Sequence, residues 1–219
     1  MKNGHAPMSQ TTCRILRIAC TAALAAACMV SLPPPVYAAT GLVPPPVPAN
    51  LEVPAGNKVF LEGHAIGTQN YICLCSASSC AWTFFGPQAT LFNDHKMQII
   101  THFLSPNPNP MDPMGEGTPR PAWQHSRDTS TVWAQAIFSS SDLEFVDANA
   151  IPWLLLQVVG AQPGPTSGHR LTRTTFVQRL NTSGGVAPST GCDAFTDVNK
   201  RAFVPYTADY FFYKAAEPE

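Results

Sequence analysis

Short runs in which apolar and polar residues alternate recur along the chain between clusters of turn residues. That period-two pattern is the mark of half-buried β-strands. The first run is Lys58 to Ile66, ending at Gly67-Thr68; the second, Gln69 to Cys75, puts Tyr71 and Cys73 on one face and Ile72 and Leu74 on the other. Ala81 to Phe85 follows and ends at Gly86-Pro87. Met97 to Phe103 sets Met97, Ile99, Thr101 and Phe103 against Gln98, Ile100 and His102. Thr131 to Phe138 alternates again. Trp153 to Val159 is a continuous apolar run whose length and flanking breakers favour a buried strand over a helix. Leu171 to Leu180 ends at Asn181-Thr182-Ser183-Gly184-Gly185, where the glycines predict a turn with positive φ. The last run, Phe203 to Tyr213, places Val204, Tyr206, Ala208, Tyr210 and Phe212 on one face and Thr207, Asp209, Phe211 and Tyr213 on the other. At least half of this aromatic stripe belongs to a core.

The segment from Leu104 to Pro121 holds six prolines and is polar, so it predicts a long surface loop. Ser141 to Asn149 is the one stretch with room for a short helix. The expectation is an all-β fold, an antiparallel β-sandwich or closed β-barrel of about eight or nine strands, since both architectures use the same alternation. With 45% hydrophobic residues and 12% charged, the chain has the apolar material a packed domain needs. Its 22 prolines argue for turns over long helices.

The N-terminus reads as an export signal: Arg14 and Arg17, then an apolar stretch from Ile15 to Val30, then Val36-Tyr37-Ala38 as a cleavage site after Ala38. An uncleaved anchor over Ile15 to Leu32 is the alternative. The expected organisation is a signal peptide over 1–38, a Pro-rich linker over 39–50, one β-rich domain over 51–213 and a tail over 214–219. Cleavage removes Lys2, Arg14 and Arg17 and no acidic residue, leaving a net charge of −4. That balance excludes a basic nucleic-acid footprint. Cys13, Cys20 and Cys28 leave with the signal, and Cys73, Cys75, Cys80 and Cys192 remain. An even number in an exported chain predicts two disulfides, with three connectivities possible. Cys73 and Cys75 share a strand face and are poorly placed to join each other; Cys75 with Cys80 closes a short loop, which leaves Cys73 with Cys192. A zinc site is the alternative, and a C-x-C with one distant cysteine fits it poorly.

Several motifs together carry a likeness: Pro54-Ala55-Gly56, the run from Gly67 to Cys73, Gly86-Pro87-Gln88-Ala89-Thr90-Leu91-Phe92, Ile151-Pro152-Trp153-Leu154-Leu155-Leu156, Gln178 to Gly185, Gly191-Cys192-Asp193, and Pro205 to Tyr213. From about Pro48 to Tyr213 the chain resembles domain-of-unknown-function family thirty-four fifty-five, a set of exported bacterial and fungal proteins. The resemblance implies a β-rich domain and brings no established activity. It also implies a pattern of a His, then Gly-Pro-x-Trp, then Asp-Gly-Ser. His102 and Trp123 match that pattern, Asp128-Thr129-Ser130 replaces its last motif, and the Pro-rich loop is inserted between His102 and Trp123. Some fungal relatives carry a malate dehydrogenase label, but this chain has no G-x-G-x-x-G after a strand to hold a dinucleotide.

The candidate ligand-binding residues are His102, Trp123, His125 and Asp128. A histidine, an aspartate and an aromatic face near loop ends suit sugar recognition, in which rings stack on C–H surfaces and polar groups fix orientation. The bland alternative has Trp123 packed on the sheet and His102 facing solvent. His64, His95, His102, His125 and His169 form neither H-x-H nor H-E-x-x-H, so no metal site and no cofactor is expected. There is no G-x-S-x-G or S-x-x-K motif. The leading expectation is a non-catalytic periplasmic or extracellular binding module for a glycan or another envelope component, not integral to the membrane once processed. The alternatives are a hydrolase using His102 and Asp128, and a structural or stress-associated envelope protein.

Overall fold

The computed structural model describes residues 41–217; the expected signal peptide and its cleavage point lie outside them. Eight strands follow one another: β1 (Asn57–Cys75), β2 (Cys80–Phe92), β3 (Gln98–Pro106), β4 (Pro119–His125), β5 (Thr131–Ser140), β6 (Trp153–Gln162), β7 (Thr174–Gly184) and β8 (Arg201–Ala215). Each pairs antiparallel with the next, and β8 pairs back on β1. The sheet is therefore a closed barrel rather than a sandwich.

Two expected runs, Lys58–Ile66 and Gln69–Cys75, are one strand of 19 residues. Gly67 is no turn. It pairs with Ala89, and a Cβ there would sit 2.1 Å from the Gln88 carbonyl oxygen, so the missing side chain is what lets β1 and β2 approach. Gly86 likewise does not end a strand: β2 runs on to Phe92, with a register slip where Asn70 faces Gly86 and Tyr71 faces Phe84. The expected turn at Asn181–Gly185 lies largely within β7, with a slip between Leu180 and Ser183, although Gly184 and Gly185 do take positive φ. Ser141–Asn149 forms turns instead of a helix.

The Pro-rich segment is shorter as a loop than its composition predicts. Leu104–Pro106 completes β3 and Pro119–Pro121 begins β4, which leaves 107–118. That loop is pinned through buried polar groups. Asn107 Nδ2 donates to Asp112 Oδ2 at 2.8 Å, Arg120 Nε donates to the same oxygen at 2.9 Å, and Asn109 Nδ2 donates to the Val159 carbonyl at 2.7 Å. The Arg120 guanidinium holds the Asp112 carboxyl well below the usual carboxylate range.

Alternation sends one set of side chains inward and the other outward. Leu91, Ile100, Val132, Leu171, Val177 and Phe212 pack inside the barrel with no exposed surface. Outside, Trp153, Leu155, Leu180, Phe211 and Tyr213 form a second cluster with Leu51, Val47 and Val53 from the chain before β1. Gln178 ties this strap down. Its Nε2 donates to the Leu51 carbonyl at 2.7 Å while its Oε1 accepts from the Tyr213 hydroxyl at 2.5 Å. Both Cys73–Cys192 and Cys75–Cys80 are disulfide-bonded, the first fastening the β7–β8 loop to β1 and the second closing the β1–β2 hairpin.

The seams differ in length. β1 and β8 are matched over most of their course, from Asn57–Ala215 to Ile72–Arg201. β4 and β5 meet at only Ala122–Trp133, Trp123–Val132 and Gln124–Thr131 before they part.

Candidate functional site

The interior is filled at the end where Ile100, Leu171 and Phe212 lie, and hollow above them. A cavity of about 190 Å3 takes its walls from Pro87, Leu154, Leu156 and Phe84 and its polar groups from Gln69, His102, Trp123, Arg179 and Tyr210. Pro121 and Ala136, the lining residues just past the last β4–β5 pair, stand where the strands diverge, and Ala136 is exposed. An eight-stranded barrel is wide enough either to be filled by its own side chains or to hold one small ligand. Here it does the first at one end and leaves room at the other.

His102 and Trp123 are directly opposite on β3 and β4, and the pairing puts both rings inside. They stack at 4.4 Å with 9° between planes, and Tyr210 leans on both. His102 is thus buried, not solvent-facing. Its Nδ1 donates to the Ala122 carbonyl at 2.9 Å, the role that carbonyl requires, and this leaves Nε2 as an acceptor. Burial pushes the imidazole down to about 3, so it is neutral at physiological pH. The hydroxyls of Tyr206 and Tyr210 lie 3.2 Å apart, and burial raises both phenols, which stay neutral as well. Arg179 is half-buried; its Nε and Nη2 donate to the Pro152 carbonyl at 3.2 and 2.7 Å.

Four buried polar side-chain atoms among the described residues lack a partner, and two of them, Gln69 Nε2 and Trp123 Nε1, belong to residues lining this cavity. Native interiors satisfy nearly all such groups, but both atoms lie beneath the cavity wall with no accessible surface, so they mark unmet polarity in the lining without offering a donor to an occupant.

His125 and Asp128 belong elsewhere. They lie at the β4–β5 turn, with His125 Nδ1 3.0 Å from Asp128 Oδ1. The Asp128 carboxylate is spent on structure: Oδ1 accepts from the Ser130 N–H at 3.1 Å and the Ser130 hydroxyl at 2.7 Å, and Oδ2 accepts from the Arg170 N–H at 2.7 Å. Burial works against its charge, yet these donors outweigh it and hold the carboxyl at about 2. The four sequence candidates therefore split into a stacked pair in the cavity and a turn that anchors the β6–β7 loop. Sequence reasoning missed Gln69, Arg179 and Tyr210. Arg179, a cation two residues along the same strand face from the apolar Val177, was the available signal.

It also missed a cluster on the barrel wall. The β1–β8 register sets His64 opposite Asp209, and Glu62, His64 and Asp209 bring ligand atoms within 4.8 Å of one another. His64 Nδ1 lies 2.6 Å from Asp209 Oδ1 and Nε2 lies 3.0 Å from Asp94 Oδ1. These bonds to Asp209 and Asp94 raise its pKa. A raised histidine stabilises the fold fully below its ordinary value of 6.5 and loses that contribution as pH rises through the folded value. His102 acts oppositely: held neutral, it costs stability as pH falls from 6.5 towards about 3, where the unfolded chain takes up a proton that the fold refuses. Thermal scans across pH should show His64→Ala losing more against the native protein at about pH 5.5 than at about pH 9. A loss that grows with pH would contradict the assignment.

No curated protein and no solved structure matches the chain. The family model of DUF3455, described as a protein of unknown function, matches residues 54–214, from just before β1 to the last turn of β8 and across every strand that shapes the cavity. By that match the chain belongs to the DUF3455 family of proteins of unknown function.

Proposed function

We propose that the protein is a non-catalytic binding module that works outside the cytoplasm and takes one small ligand into the hollow end of its barrel. The observation that carries this reading is the cavity itself, with apolar walls from Pro87, Leu154 and Leu156 and Arg179 among its lining residues. Two disulfides support the oxidising setting, and among the described residues no helix is long and apolar enough to cross a membrane. Of the envelope ligands considered, the walls favour an apolar or aromatic molecule over a glycan. A sugar ring would bring more hydroxyls than the few polar groups here can satisfy, and each unmet one is costly when buried. The volume, below the roughly 300–1,000 Å3 of pockets for drug-sized ligands, sets the scale at a single ring or a short chain.

Ala136→Trp tests the reading. Ala136 is exposed at the cavity edge, so the larger ring caps the hollow without disturbing packed core. Thermal-shift titrations with toluene, benzyl alcohol, benzamide and benzoate should raise the melting temperature of the native protein, because a ligand that binds only the folded state stabilises it by mass action. The same titrations should leave the variant unmoved. Equal shifts in both proteins, or none in the native one, would sink the proposal.

A further inference from the structure

The polar groups around the cavity are unequal in kind. Gln69 Nε2 and Trp123 Nε1 are donors without partners, but both lie beneath the wall with no accessible surface. Arg179 is a third donor and carries a full charge. Its guanidinium is not free to swing away, because two of its N–H groups are fixed on the Pro152 carbonyl, which leaves three of the five such a group carries. No carboxylate of the described residues lies within ion-pair distance of it; the ion pairs found involve His64, Arg120, His125, Arg173 and Lys200. The neighbours that share the hollow with it, His102 and Tyr210, are buried rings that bring no negative charge. A half-buried cation, held in place and without a carboxylate partner, is a poor arrangement for an empty protein and a good one for a bound anion.

We propose that the cavity takes a small apolar carboxylate, its ring or chain against Pro87, Leu154 and Leu156 and its acid group paired with Arg179. This rests on the reading of the cavity as a binding site and adds the charge of the ligand. Guanidinium and carboxylate match in planar geometry, and the pairing is stronger where water is thin. His102 Nε2, an acceptor in the lining, suits a ligand hydroxyl or a water, and neither opposes the charge.

The test is a matched series titrated calorimetrically into the oxidised protein at neutral pH: benzoate against benzamide, and phenylacetate against phenylacetamide. Members of each pair have closely similar shape and differ in charge. The carboxylates should bind at least about tenfold tighter than their neutral partners, the margin expected of hydrogen bonds to a charged group over neutral ones. Arg179→Gln should bring each pair to near equality, and Arg179→Lys, which keeps the charge without the fork, should restore part of the preference. Neutral members binding as tightly as the acids would overturn the charge assignment and leave the cavity reading standing. Binding of neither class would overturn both. An acid preference that survives Arg179→Gln undiminished would remove Arg179 from the site. Should that variant fail to fold, the native series and Arg179→Lys decide the matter: an acid preference unchanged in the lysine variant tells equally against the guanidinium.

Discussion

Removing the Cys73–Cys192 bridge as the pair Cys73→Ala and Cys192→Ala should destabilise the barrel far more than removing Cys75–Cys80 in the same way. The reason is the length of chain each one closes. The first joins residues 119 apart and the second joins residues 5 apart. A crosslink lowers the entropy of the unfolded chain by an amount that grows with the logarithm of the loop, which gives about 5 kcal/mol for the long loop and about 2 kcal/mol for the short one. For a domain of this size these correspond to falls in melting temperature of roughly 10–20 °C and roughly 4–8 °C. The long bridge has a second duty, since Cys192 fixes the β7–β8 loop against β1 beside the Trp82–Thr190 hydrogen bond, whereas Cys75 and Cys80 already face each other across a paired hairpin. Thermal scans of the two double variants under oxidising conditions settle the order. Equal losses would mean that loop closure is not what these bridges contribute.

Phe212→Ala should cost about 3–5 kcal/mol, the range for emptying a buried aromatic position. Phe212 has no exposed surface, sits in the inner cluster, and meets Trp123 edge-on at 6.2 Å. The barrel wall around it is held by ladders on both sides and cannot collapse to refill the space. Phe195→Ala is the control: that ring is 95% exposed, and surface changes of this kind stay within about 0.5 kcal/mol. Urea denaturation should show a lower midpoint for the first variant and an unmoved one for the second. A Phe212→Ala midpoint close to native would mean that the inner cluster is looser than its packing indicates.

Much of the barrel was legible from alternation alone. Inward and outward faces on β1, β3 and β8 follow directly from it, as with Ile100 and His102 on one side of β3. The reading failed where glycine and asparagine interrupt a run. In isolation Gly67-Thr68, Gly86-Pro87 and Asn181–Gly185 look like turns, but in a closed barrel the same residues permit close strand approach and register slips. The Pro-rich segment hid the ends of β3 and β4 because its prolines lie at their margins, while Asp112 and Arg120 supply an internal ion pair that no spacing rule reveals. Where the candidate residues lie was only partly legible. His102 and Trp123 carried a motif resemblance and do share the cavity, whereas His125 and Asp128 looked equally chemical and serve a turn. Gln69 and His64 acquire meaning only through the β1–β8 register, which pairs residues more than 100 positions apart and is invisible until the barrel closes.

The short β4–β5 seam bears on how fast a ligand of the proposed kind would exchange. A ligand sealed in a fully laddered barrel would have to wait for a lid to lift or for strands to separate, and its entry would be slow and strongly temperature-dependent. Here the two strands diverge after three matched positions, and Pro121 and Ala136 flank the gap. Past those three positions no β4–β5 ladder pair would have to break for passage. For a ligand of the proposed kind, loading would then be a matter of encounter, with residence time set by the contacts made inside.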